Sequence, residues 1–76
     1  MFLYENTHAL RMLKRYTQKY IADELGISQS YYSSIEQGKS DIPVSLLLKI
    51  CNLYDIPVQV LMFTDIKMEA NKFLHH

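Results

Sequence analysis

The chain has 76 residues, enough for one small domain, and 49 % of them are hydrophobic, so a core can form without staples. Its single cysteine, Cys51, excludes an internal disulfide, and the longest apolar runs, such as Val44 to Leu48, are far too short to span a bilayer. Eight Lys plus Arg balance eight Asp plus Glu, which argues against a nucleic-acid binder's overall basic footprint, yet Arg11, Lys14, Arg15 and Lys19 fall within nine acid-free residues.

Gly and Pro number two each, and Leu, Met, Ala, Lys, Glu and Gln are spread throughout, so the composition points to an all-α protein. No basic region followed by a long apolar run opens the chain, and no leader is expected. Residues 1–5 lack periodicity and read as a frayed start. Asn6 or Thr7 is expected to cap a first helix with Ala9, Leu10 and Leu13 inward, ending near Arg15, where cations suit the helix dipole.

Thr17 is a cap for a second helix, Gln18 to Leu25, with Ile21, Ala22 and Leu25 on one face. Gly26 ends it as a left-handed residue, Ile27 follows as an apolar plug, and Ser28 caps a third helix. That helix turns Tyr32 and Ile35 inward and shows an uncharged polar face of Gln29, Ser30, Ser33 and Ser34. Such a face, neither apolar nor charged, suits specific hydrogen bonding. Gly38 stops the helix, and Lys39, Ser40 and Asp41 form a polar loop.

Pro43 belongs in the first turn of a fourth helix reaching about Leu53, with Val44, Leu47, Leu48, Ile50 and Cys51 as its apolar set. Asp55 stands where a turn is needed, and Pro57 opens a short fifth helix containing Val58, Leu61 and Met62. In the tail, 65–76, Ile66, Ala70 and Phe73 recur at helical spacing. Twelve residues rarely hold a helix alone, so this one must pack on its own domain or on a second subunit. The expected division is a domain over 1–64 and this tail.

Thr17-Gln18, Ala22, Leu25-Gly26-Ile27-Ser28, Ile35-Glu36-Gln37-Gly38-Lys39 and Leu46 to Ile50 closely resemble the Cro/repressor-type helix-turn-helix family, the lambda-repressor-like (XRE) regulators. The resemblance runs from Leu10 to about Leu61. It implies a compact five-helix bundle, to which the tail adds a short sixth helix. It also implies sequence-specific binding of double-stranded DNA in transcription regulation, with the second helix crossing the backbone and the third in the major groove.

Carried over by motif, Gln29, Ser30 and Ser34 stand at base-reading positions and Ser33 at the groove edge or backbone. Gln can pair bidentately with adenine, and Ser contacts several bases. Gln18 and Lys39 match the family's phosphate contacts, with Lys19 and Ser40 beside them on the backbone. Arg11 and Glu36 match an ion pair joining the first helix to the third, a structural role. Phe63, Ile66, Ala70 and Phe73 are read as simple core or as a contact between the subunits of a homodimer.

The recognition positions carry no Arg or Lys, so affinity is expected to come from dimerisation. A cytoplasmic regulator of this kind needs no cofactor. No nucleophile–base pair, metal cluster or phosphate-cradling Gly loop suggests an enzyme. Cys51 reads as a buried inert thiol. His75 and His76, a tag remnant or a native end, make no zinc site by themselves. The alternative reading is an antitoxin-like module whose main partner is a cognate protein, motivated by zero net charge and the amphipathic tail.

Overall fold

The computed structural model describes residues 1–69 and consists, over that range, of helices and connecting turns. The helices are α1 (Leu3–Lys14), α2 (Gln18–Leu25), α3 (Gln29–Glu36), α4 (Val44–Tyr54) and α5 (Val58–Phe63), and residues 66–69 are again helical. Their inward faces meet in one core of Leu3, Ala9, Leu10, Ile21, Ala22, Leu25, Tyr32, Ile35, Leu46, Ile50, Cys51, Tyr54, Leu61 and Ile66. This is the all-helical, lambda-repressor-like architecture expected from the sequence.

Two helix starts follow the sequence reading closely. Thr17 and Ser28 both have extended backbone, and each side chain accepts a hydrogen bond from the amide three residues on, Tyr20 at 3.0 Å and Tyr31 at 3.1 Å. Each thereby satisfies one of the amides that a helix start leaves unpaired.

Four helix ends share one closure. Arg15, Gly26, Gly38 and Asp55 all have positive φ, between 54° and 72°, and the residue after each donates to a carbonyl five positions earlier. The pairs are Tyr16 to Arg11, Ile27 to Ala22, Lys39 to Ser34 and Ile56 to Cys51. Glycine adopts this conformation without cost, whereas Arg15 and Asp55 hold it against steric strain.

Three expectations are corrected. Helix α1 begins at Leu3, which is buried, so the start is ordered and Asn6 and Thr7 lie inside the helix rather than capping it. The stripe Leu3, Asn6, Thr7, Leu10 has the i, i+3, i+4, i+7 spacing of an inward face, and tertiary packing overrode the local capping preference. Leu13, expected inside, is 47 % exposed.

In α4 the inward residues are Leu46, Ile50, Cys51 and Tyr54, with Leu47 partly buried, while Val44 and Leu48 are 71 % and 52 % exposed. The helix is apolar on more than one face, so periodicity alone did not choose the buried one. The buried face carries Tyr54, whose ring lies near that of Tyr16, 6.4 Å between centroids.

Candidate nucleic-acid interface

Helices α2 and α3 are joined at Gly26, whose φ of +72° lets the chain reverse within one residue. Ile27, the next residue, packs against the core. Because Tyr32 and Ile35 are fully buried on one side of α3, the opposite side faces outward. Gln29 and Ser30 lie there, exposed, and their side chains bond to no group among the described residues.

Ser33 and Ser34 sit differently. Both are half-buried and already engaged: Ser33 Oγ accepts from Gln37 Nε2 at 3.2 Å, and the Ser34 and Ser40 hydroxyls lie 3.0 Å apart. The last contact ties the outward face of α3 to the following loop. Lys39 is exposed in that loop, its backbone amide bound to Ser34 O and its ammonium outside any ion pair among the described residues. Lys19 instead lies 3.0 Å from Asp23, one turn along α2. Both partners are largely exposed, so water screens that pair.

Behind this surface lies a charged hub. Glu36, at the end of α3, accepts from Arg11 Nε at 2.6 Å, Arg11 Nη2 at 3.1 Å and Tyr32 Oη at 2.6 Å, and from Gln18 Nε2 at 3.3 Å. His8 Nδ1 is 2.9 Å from the same carboxylate. An ionised carboxylate can only accept, so Nδ1 carries the hydrogen. Arg11 also donates to Tyr16 O at 2.9 Å, which leaves its guanidinium turned inward.

Burial alone would raise the Glu36 carboxyl, but the hydrogen bonds from Arg11, Tyr32, His8 and Gln18 outweigh it and hold its pKa at about 2. Burial pushes the Tyr32 hydroxyl far up, and its bond to Glu36 adds to that, so it remains a donor. The hydrogen bond to Glu36 raises the Arg11 guanidinium in turn.

The hub therefore takes in Gln18, which the family pattern places on the DNA backbone: its amide nitrogen is directed at Glu36. It also takes in His8, which the sequence reading missed. The available signal was its place one turn before Arg11 on α1. The tyrosine hydroxyls of the aromatic core divide. Tyr32 has Glu36, while the buried Tyr54 hydroxyl finds no partner among the described residues, and burial raises its pKa.

At the other end, Phe63 is 64 % exposed, and Ile66 is buried in the molecule's own core. Ala70 and Phe73, and the paired histidines at 75 and 76, lie outside the described residues. Burial raises the Cys51 thiol. Among the described residues no group of three His, Cys, Asp or Glu is placed to hold a metal, and no helix is long and apolar enough to cross a membrane.

Two short helices set across a glycine turn, the second capped by serine and presenting unengaged polar side chains, define a helix-turn-helix module. The chain belongs to that family, in its XRE, lambda-repressor-like form: a helix-turn-helix family model matches residues 8–61. It is also similar to a Bacillus subtilis (strain 168) protein, the uncharacterized HTH-type transcriptional regulator YqaE, at 33 % identity over 68 residues. That match covers 90 % of this chain and 55 % of the relative, so the chain spans about half the relative's length. No solved structure matches.

Proposed function

We propose that this chain binds double-stranded DNA in a sequence-specific way and regulates transcription, working in the cytoplasm as a homodimer on a partly palindromic operator. The observation that carries the reading is the outward face of α3, where Gln29 and Ser30 stand exposed and unengaged at the start of the helix. Recognition helices of this class read bases with their N-terminal residues. The family membership and the relative's description as an HTH-type transcriptional regulator support it.

In this reading Gln29 and Ser30 contact base edges directly, with Gln29 suited to adenine. Ser33 and Ser34 line the groove edge, already held by Gln37 and Ser40. Lys39, with Ser40 and the loop amides, binds phosphate. Gln18 and Lys19 adjoin the backbone from α2, where each must release or share its present partner. Dimerisation falls to the exposed apolar residues around the end of α5, Phe63 and Met68, together with Ala70 and Phe73. Two recognition helices then lie about one DNA turn apart, roughly 34 Å.

A mobility-shift assay on sequences selected from random duplex DNA tests this. Gln29→Ala relaxes preference at its base position, by about 1–3 kcal/mol of discrimination. Lys39→Ala weakens binding to all sequences alike and makes it less steep in salt. If both variants bind as the wild type does, the assignment of this face is wrong. If the wild type binds no duplex at any salt concentration, the DNA reading as a whole fails.

A further inference from the structure

Helix α5 ends unlike the other four. Its closing residue, Thr64, is extended, with φ −92° and ψ 136°, and no left-handed residue caps it. The closure comes from α1. Asn6 Nδ2 donates to Leu61 O and to Thr64 O, both at 2.6 Å, and Asn6 Oδ1 accepts from the Ile66 amide at 3.1 Å. Both of its N–H groups and its oxygen are used, at 1 % exposure. Nearby, the Phe2 amide donates to Met62 O at 2.8 Å.

The three partners of Asn6 are the last turn of α5, the connector and the first amide of the helical residues 66–69. One carboxamide thus holds both sides of the bend by which the chain leaves α5. Aspartate would set a carboxylate against two carbonyl oxygens, and alanine would orphan all three backbone groups. The exposed apolar residues Phe63 and Met68, 64 % and 54 %, flank the bend on either side.

We propose that Asn6 is the positioning residue that fixes the direction in which the chain beyond α5 leaves the bundle. Resting on the homodimer reading above, it thereby sets the separation of the two recognition helices and so the half-site spacing of the operator. Asn6 touches no DNA in this role.

The test compares Asn6→Ala in the full chain with Thr7→Ala. Thr7 is equally buried, but its hydroxyl bonds only within α1, to Leu3 O at 2.8 Å. In Asn6→Ala the Ile66 amide exchanges about tenfold or more faster than any global loss of stability explains, while in Thr7→Ala it follows the global value. On DNA with half-sites moved by one or two base pairs, Asn6→Ala loses the wild type's spacing preference but keeps its base preference. Thr7→Ala keeps both.

Should Asn6→Ala not fold, Asn6→Ser serves. Asn6→Ser replaces the carboxamide with one shorter hydroxyl, which cannot span all three backbone partners, so protection at Ile66 is again lost beyond the global change in stability. Exchange at Ile66 that follows only the global stability in a folded Asn6→Ala, or in Asn6→Ser, overturns the clamp. Faster exchange at Ile66 with a wild type that shows no spacing preference leaves the clamp standing and removes the homodimer reading.

Discussion

Replacing Glu36 by Gln keeps the shape of the hub and removes its charge. The carboxylate receives two bonds from Arg11, at 2.6 and 3.1 Å, one from Tyr32 at 2.6 Å, and contacts from His8 and Gln18 at 2.9 and 3.3 Å. The Arg11 and Glu36 side chains are only 11 % and 5 % exposed, so the loss leaves a guanidinium nearly buried without its counter-charge. Breaking such a pair costs on the order of 3 kcal/mol. The protonation equilibrium gives a second route to the magnitude. The interval between the ordinary carboxyl value of 4.5 and about 2 corresponds to on the order of 3 kcal/mol.

A chain of this length has roughly 4–11 kcal/mol in total, so Glu36→Gln removes a large share of it. Urea unfolding followed by far-UV circular dichroism at pH 6 is expected to show a lower midpoint with an unchanged slope. The pH dependence is the sharper test. Because the folded carboxyl lies below its unfolded value, its contribution is complete above pH 4.5 and is lost as pH falls through about 2. The gap between wild type and Glu36→Gln therefore narrows from about 3 kcal/mol to under about 1 kcal/mol over that window. A gap below about 1 kcal/mol at pH 6, or one that stays constant down to pH 2, refutes the role given to the hub.

Two further outcomes follow from the same geometry. Gly26→Ala meets open space but a φ of +72°, so thermal melts should show a loss of about 1 kcal/mol, whereas Arg15→Gly, at φ 58°, should gain about 0.5 kcal/mol. Equal signs at these two matching positions would contradict the strain argument. Ser34→Ala and Ser40→Ala remove the two ends of one 3.0 Å contact, so their combined effect on DNA affinity should fall short of the sum of the singles. Additivity within about 0.3 kcal/mol would show that the contact does not couple the reading face to the loop.

Much of the candidate site was legible because its signals are local. Thr17 and Ser28 as caps, Gly26 and Gly38 as stops, and Tyr32 with Ile35 as the inward pair of α3 follow from spacing and side-chain chemistry. Together they leave Gln29 and Ser30 outward. The pairing of Arg11 with Glu36 came from motif resemblance, because 25 residues separate the partners and no local rule joins them. The roles of Asn6, His8 and Gln18 were not legible for the same reason. Each turns on a partner brought close only by packing, and Asn6 read locally as a cap because its carboxamide suits a helix start as well as a buried bend.

By itself the sequence determined the five helices α1 to α5, the starts of α2 and α3, the left-handed stops at Gly26 and Gly38, and the polar face of α3. Caps, left-handed closures and periodicity act within a few residues and need no distant partner. Tertiary structure decided which of the apolar faces of α4 turned inward, that Ile66 belongs to the bundle's own core, and that α5 borrows its closure from Asn6, 55 residues away. Those outcomes depend on shape fit and on satisfying buried backbone groups, and both exist only once the helices are packed.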